Sequence, residues 1–206
     1  MTCVTPTAVL ACWALLTIAA IAPASADIPN PSTSTVPPCF VDCPFGDITF
    51  TVTVRDAANN PQPGSNVQLD FSICTQVGFC LTQEPGTTIN GRFASRVTNA
   101  MGVVTFHLHA GGICPGGHVR VFADGVPLGD RPIVSTDQDG NLVVDATDQT
   151  IVSGKVGGTD ETADFDCDGD VDSADLAIFK GHLGHMCDLP TPARQRSWGE
   201  LKVIYR

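Results

Sequence analysis

Two acidic loops of one design constrain this chain more than any other feature. The first runs Asp137-Gln138-Asp139-Gly140-Asn141-Leu142-Val143-Val144-Asp145-Ala146-Thr147-Asp148. The second runs Asp164-Phe165-Asp166-Cys167-Asp168-Gly169-Asp170-Val171-Asp172-Ser173-Ala174-Asp175. One constant offset superimposes them, from Asp137 on Asp164 to Asp148 on Asp175. Oxygen-bearing side chains then coincide at loop places one, three, five, nine and twelve, and a valine falls at place eight of each. Coincidence at that many places marks an internal repeat.

The spacing points to Ca²⁺. This hard cation takes six to eight oxygens at about 2.3–2.6 Å, and a twelve-residue loop supplies them from alternate residues, with a backbone carbonyl at place seven. The expected ligands are Asp137, Asp139, Asn141, Val143, Asp145 and Asp148 in the first loop, and Asp164, Asp166, Asp168, Asp170, Asp172 and Asp175 in the second. That makes two Ca²⁺ sites. Without a cation the crowded carboxylates would repel one another. Gly169 stands at place six, where the chain turns sharply. Val144 and Val171 are expected to face a small core between the paired loops. Two features depart from the usual EF-hand loop. The last ligand is Asp instead of a longer Glu, and the first loop carries its glycine at place four (Gly140) with Leu142 at place six.

The flanks distinguish this unit from an ordinary helix-loop-helix site. Arg131-Pro132 before the first loop reads as extended chain, and Gly157-Gly158 interrupts the approach to the second. Helical signal follows each loop. Leu176, Phe179 and Leu183 recur at i, i+3 and i+7, whereas Ala146–Val152 gives a shorter and poorer match. A loop with an exiting helix, twice over, resembles a type I dockerin across residues 137–187, within a module bounded at 135–187. The matching residues are Asp164, Asp166, Asp168, Gly169, Val171, Asp172, Asp175 and Leu176, and, more loosely, Asp137, Asp139, Asn141, Val144, Asp145 and Asp148. The resemblance implies docking onto a cohesin-type protein domain, often within polysaccharide-degrading assemblies. The residues it implies for partner contact are Ser173, Ala174, Lys180 and Gly181, with Ala146, Thr147, Ser153 and Gly154 in the first repeat.

Thirteen of the 22 acidic residues lie between Asp137 and Asp188, so the net charge of −11 belongs to this module. No basic stripe of the kind nucleic acid requires is present. Residues 1–26 read as a secretory signal, with an apolar run from Ala8 to Ala22 and a small-residue site at Ala24-Ser25-Ala26. Export would make the protein extracellular or cell-surface, start the mature chain at Asp27 and favour disulfides. Seven cysteines would remain. Cys39 with Cys43, Cys74 with Cys80 and Cys167 with Cys187 are the nearest pairs, leaving Cys114 over, although spacing cannot fix connectivity. Residues 27–46 are Pro/Ser/Thr-rich and read as a linker whose first part, to Pro38, lacks fixed structure.

Residues 47–134 carry β signal. Ile48–Val54 and Val67–Phe71 alternate with period two, and Arg92–Val97, Val104–Leu108 and His118–Ala123 continue the series, with Gly125–Gly129 opening a last pair. The expectation is an antiparallel sandwich. Its turns and strand valines, from Val54-Arg55-Asp56 to Gly102-Val103-Val104, resemble bacterial Ig-like domains. The predicted fold class is therefore mainly β: an N-terminal Ig-like sandwich plus a small α module of two EF-hand-type repeats. Signals of catalysis are sparse. No serine sits in a Gly-x-Ser-x-Gly elbow. His107 and His109 share a strand face, and His182, His185 and Cys187 cluster past the last helix; zinc is a minor alternative at each. Residues 188–206 form a basic tail. The expected function is that of a secreted, non-catalytic calcium-binding protein that docks a partner. The alternatives are an adhesion protein with purely structural calcium sites, or a small carbohydrate-binding or carbohydrate-active protein.

Overall fold

The computed structural model describes residues 28–187. The expected signal, its cleavage site and the basic tail lie outside the described residues. Ten strands precede two helices: β1 (Phe40–Asp42), β2 (Phe50–Thr53), β3 (Asn66–Asp70), β4 (Gly78–Phe79), β5 (Thr88–Asn90), β6 (Phe93–Val97), β7 (Val103–Phe106), β8 (Ala110–Gly111), β9 (His118–Ala123), β10 (Val126–Ser135), α1 (Ala146–Lys155) and α2 (Ser173–Lys180). The chain is mainly β, with a sandwich-like arrangement. A six-stranded sheet in the order β1-β10-β9-β3-β6-β5 shares one hydrophobic core with the β2–β7 pair and the short β4–β8 pair.

Alternating side chains explain the layers. On β9, Val119, Val121 and Ala123 are buried while His118, Arg120 and Phe122 are half-buried. β3 does the same with Val67 and Leu69, and β2 with Phe50 and Val52. Such residues reach one face of a pleated strand because successive side chains point to opposite sides. The inward faces meet around Phe40, Phe71 and Phe106. Phe71 lies edge-on to Phe40 at 5.5 Å and to Phe79 at 5.2 Å, a geometry that the ring quadrupoles favour.

The expected strands all form: β2 and β6 are shorter than expected, β9 matches His118–Ala123, and Gly125–Gly129 opens not a pair but one ten-residue strand, β10, with a register shift between Pro127 and Gly129. The tracts that carry no alternating pattern, β1, β4, β5 and β8, are two or three residues long. Two expectations are corrected. The sheet is not wholly antiparallel, because β1 pairs parallel to β10, Phe40 opposite Ile133 and Asp42 opposite Ser135. The 27–46 stretch is not an unstructured linker over its described part. Thr35 bridges Thr53, Asn30 N–H donates to Arg55 O at 2.7 Å, and Cys39, Phe40 and Cys43 are buried. Proline-rich composition signals a lack of helix, but it does not prevent backbone pairing with a neighbouring strand.

The cysteine pairing also differs from the nearest-neighbour expectation. The disulfides are Cys39–Cys167, Cys74–Cys114 and Cys80–Cys187, and Cys43 is free and buried. Two of them tie the sandwich to the acidic module across 128 and 107 residues. In the chain-entropy account, closing loops of that length stabilises by about 4–5 kcal/mol each. Three disulfides fit an oxidising, extracellular setting. Among the described residues no helix is long and apolar enough to cross a membrane.

Two outcomes test this fold. Phe71→Ala removes a ring at 0 % exposure and should cost about 3–5 kcal/mol in urea denaturation. Peptide mapping without reduction should recover the three crosslinks named above and, among the described residues, one alkylatable thiol, Cys43, that reacts only after unfolding. A Cys39–Cys43 or Cys167–Cys187 peptide would contradict the arrangement.

Candidate metal centre

The two acidic loops repeat in structure as they do in sequence. Asp148 and Asp175, the last residue of each, are both at 0 % exposure. In the first loop Asp148 Oδ1 accepts from Gln138 N–H at 2.7 Å and Asp139 N–H at 3.1 Å, and Oδ2 accepts from Asp145 N–H at 2.8 Å. In the second Asp175 Oδ1 accepts from Phe165 N–H at 2.6 Å and Asp166 N–H at 3.3 Å, and Oδ2 accepts from Asp172 N–H at 2.7 Å. Each therefore ties the start of its loop to the start of its helix. Asp145 and Asp172 are the N-caps of α1 and α2, accepting from Thr147 N–H and Ala174 N–H, and Asp148 and Asp175 complete a capping box at the third helical position. Acidic groups there also suit the helix dipole.

The first residue of each loop plays the opposite part. Asp137 accepts from Gly140, Asn141 and Leu142 N–H, and Asp164 from Asp168 and Gly169 N–H. The backbone bends left-handed at places four and six of both loops: Gly140 (φ 74) and Leu142 (φ 65), then Cys167 (φ 61) and Gly169 (φ 102). The displaced glycine of the first loop thus leaves the shape unchanged, with one glycine and one strained residue in each loop.

The pairing of the two units is crossed. Val144 N–H donates to His185 O at 2.7 Å and Gly184 N–H to Val144 O at 2.8 Å. Val171 N–H donates to Gly158 O at 2.9 Å and Gly157 N–H to Val171 O at 2.7 Å. The segment after each helix thus pairs with the loop of the other unit. Val144 and Val171, each at 0 % exposure, meet Val152, Phe165 and Phe179 in the small core beneath. That core also takes in Cys39, Cys43 and Val134 from the β region, so the module does not bury its apolar side alone. The second helix is the shorter, not the first. It ends at Lys180, which leaves Leu183 exposed in a turn rather than on the buried stripe with Phe179.

Carboxylate oxygens converge in three groups, each within 4.8 Å: Asp137 with Asp139 and Asp148; Asp164 with Asp166 and Asp168; Asp170 with Asp172 and Asp175. Asn141 joins the first loop's ring by donating to Asp139 Oδ2 at 3.1 Å and accepting from Val143 N–H at 2.8 Å. Val143 bridges Met186. Asp145 stands outside the first group and serves the helix cap, and the Asp170 carboxylate gathers with Asp172 and Asp175. Burial, with the charge of Asp148 adding, raises Asp137 to about 6. Burial and the charges of Asp175 and Asp168 raise Asp166, and the charge of Asp168 is the leading cause of the rise at Asp170. Crowded oxygen donors that disfavour their own ionisation fit a hard divalent cation, because the cation supplies the missing countercharge.

Sequence reasoning missed how the β region reaches the first loop. Gly112 N–H donates to Asp137 O at 2.9 Å, and a Cβ on Gly111 would overlap the Asp137 carboxylate. Asp42, on β1, is fully buried nearby; burial, then the charge of Asp137, pushes its carboxyl well above the usual range. Nothing in local spacing links residues so far apart. Two zinc alternatives are corrected. Cys187 is bound to Cys80, so His182, His185 and Cys187 form no trio. His107 and His109 join no group of metal-ligating side chains among the described residues. The eight residues implied for partner contact, Ser173, Ala174, Lys180, Gly181, Ala146, Thr147, Ser153 and Gly154, are all exposed.

Asp148→Ala and Asp175→Ala each leave three backbone N–H groups without their acceptor, at about 1–3 kcal/mol apiece. Each variant should lose on the order of 3 kcal/mol or more in urea denaturation, with chelator present as well as absent. An unchanged midpoint in both conditions would show that this closure carries no weight.

No protein-family profile, no curated protein and no solved structure matches the chain.

Proposed function

We propose that this protein is a secreted, non-catalytic calcium-binding protein whose dockerin-like module docks a protein partner of cohesin type. The observation that carries the reading is the duplicated loop: the same carboxylates, at the same places, close the same backbone turns in both units. Each loop holds one Ca²⁺, through Asp137, Asp139, Asn141, Val143, Asp145 and Asp148 in the first, and Asp164, Asp166, Asp168, Asp170, Asp172 and Asp175 in the second. The ion supplies the countercharge that lets these groups stay ionised together. The protein supplies the left-handed turns, the capping boxes and the crossed valine pairs that set the donors in place. Metal binding and ordering of the module are thermodynamically linked. The ordered helices then present Ser173, Ala174, Lys180 and Gly181 in the second unit, with Ala146, Thr147, Ser153 and Gly154 in the first, all of them exposed.

A second reading is favoured by the crosslinks. Cys39–Cys167 and Cys80–Cys187 bind the module to the sandwich, and the Ig-like region and the module share a core. In that case the calcium sites rigidify an intramolecular unit of an adhesion or envelope protein and dock nothing.

Calorimetry should register two equivalents of Ca²⁺, with Asp137→Ala and Asp164→Ala each removing one. At calcium one hundred times above the dissociation constant, each site should add about 2.7 kcal/mol of stability, lost on chelation. No uptake at millimolar Ca²⁺ rules out both readings. Capture of the full chain by immobilised cohesin domains, abolished by chelator and weakened by Ala174→Arg, supports docking. No capture with both calcium sites filled leaves the structural role.

A further inference from the structure

The odd cysteine and the two histidines past α2 meet at a place the acidic loops do not use. Cys43 Sγ, Asp47 Oδ2, His182 Nδ1 and His185 Nδ1 lie within 4.8 Å of one another. Cys43 Sγ is 3.5 Å from His185 Nδ1, and the two ring nitrogens are 3.4 Å apart. Asp47 Oδ2 is 3.1 Å from His182 Nδ1 and 3.4 Å from His185 Nδ1. The geometry points to a four-ligand zinc site. Zinc bonds of about 2.0–2.3 Å to nitrogen, oxygen and sulfur, arranged tetrahedrally, separate the ligand atoms by about 3.3–3.7 Å. Three of the four separations, 3.4, 3.4 and 3.5 Å, match those edges, and the Asp47–His182 separation of 3.1 Å is slightly shorter. A thiolate and two imidazoles are also the donors that select zinc over calcium.

Three further observations favour a built site. First, the ligands come from two tight turns that face each other. Gly46 N–H donates to Cys43 O, closing the turn that brings Cys43 and Asp47 together, and His185 N–H donates to His182 O. Gly46 has φ +73, and a Cβ there would stand 2.5 Å from the His109 ring, so only glycine lets that turn seat against β8's flank. Second, the repeat does not require these residues. The counterparts of His182 and His185 in the first unit are Lys155 and Gly158, and Lys155 is engaged by Gln138, Thr162 and Asp160. The second unit has replaced an ammonium with an imidazole and placed a buried thiol and a carboxylate opposite it. Third, Cys43 is at 0 % exposure and is the free thiol among seven cysteines of residues 28–187. Phe45 stacks on His185 at 4.8 Å and shields that side.

Four protein ligands leave no open position, so the zinc is structural and not catalytic. On binding, Cys43 releases its proton to solvent and becomes a thiolate ligand, while both imidazoles bind in their neutral form. The ion joins the Cys43–Asp47 turn of the β region to the end of the second unit, beside the Cys80–Cys187 crosslink. It stands independently of whether the acidic loops hold calcium.

Cobalt substitution tests this on the full oxidised chain, held in excess Ca²⁺ so that hard oxygen sites are filled. One equivalent of Co²⁺ should give intense tetrahedral visible bands and a near-ultraviolet sulfur-to-cobalt band, both abolished by one equivalent of Zn²⁺. Cys43→Ser should lose the sulfur band. His182→Ala and His185→Ala, which alter half-buried side chains and spare the buried thiol, should each weaken zinc on the order of 100-fold. Circular dichroism and the three intact disulfides establish that each variant is folded, and His107→Ala serves as the control that changes nothing. Absence of the sulfur band in natively folded wild type overturns the site, as does zinc affinity unaffected by the two histidine substitutions.

Discussion

Two buried carboxylates, Asp148 and Asp175, hold the C-terminal third of the described chain in shape. Each accepts three backbone N–H groups, two from the start of its loop and one from the cap of its helix. A single side chain thereby fixes where the loop begins, where the helix begins and how far apart they stand. The cost of this economy is electrostatic. The same geometry gathers further carboxylates around each anchor, and like charges so close together raise one another. A countercharge is the natural complement of that arrangement, and the functional reading follows from it.

The module is not an appendage. Its small core draws Cys39, Cys43 and Val134 from the β region into contact with Val144, Val171 and Phe179. Gly111 and Gly112 on the sandwich press against Asp137, and two disulfides close the seam. A unit of two short helices buries too little apolar surface to stand on packing alone. It takes support from the neighbouring sheet, from crosslinks and, as proposed, from ions. The parallel pairing of β1 with β10 matters for the same reason. It carries Cys39, Asp42 and Cys43 beneath the acidic loops, and it places the Cys43–Asp47 turn opposite His182 and His185.

Periodic features were the legible ones. Alternation located β2, β3, β6, β7 and β9, because a half-buried strand must show period two, whereas β10 was signalled only by Gly125 and Gly129. The loop repeat located nine carboxylates that converge and the two buried valines, because residues at a fixed spacing in a short turning loop come together. The reading failed where no local rule operates. β1 lies in a proline-rich tract and is held by a strand more than ninety residues later. The disulfides ignore the nearest neighbours, since pairing depends on which Cβ atoms the fold brings together. α1 outlasts its weak apolar pattern because α1 is capped at Asp145 and anchored by Val152.

The sequence alone determined the acidic repeat, the sharp turn at Gly169 and the β character of the rest, since each is written in residue type and spacing over a few positions. Tertiary structure decided which cysteines bond, how the two units cross, and that a thiol, a carboxylate and two imidazoles from opposite ends of the described chain share one point. Those are facts of distance between remote residues, and distance across a fold is set by packing, which no local stretch of sequence encodes.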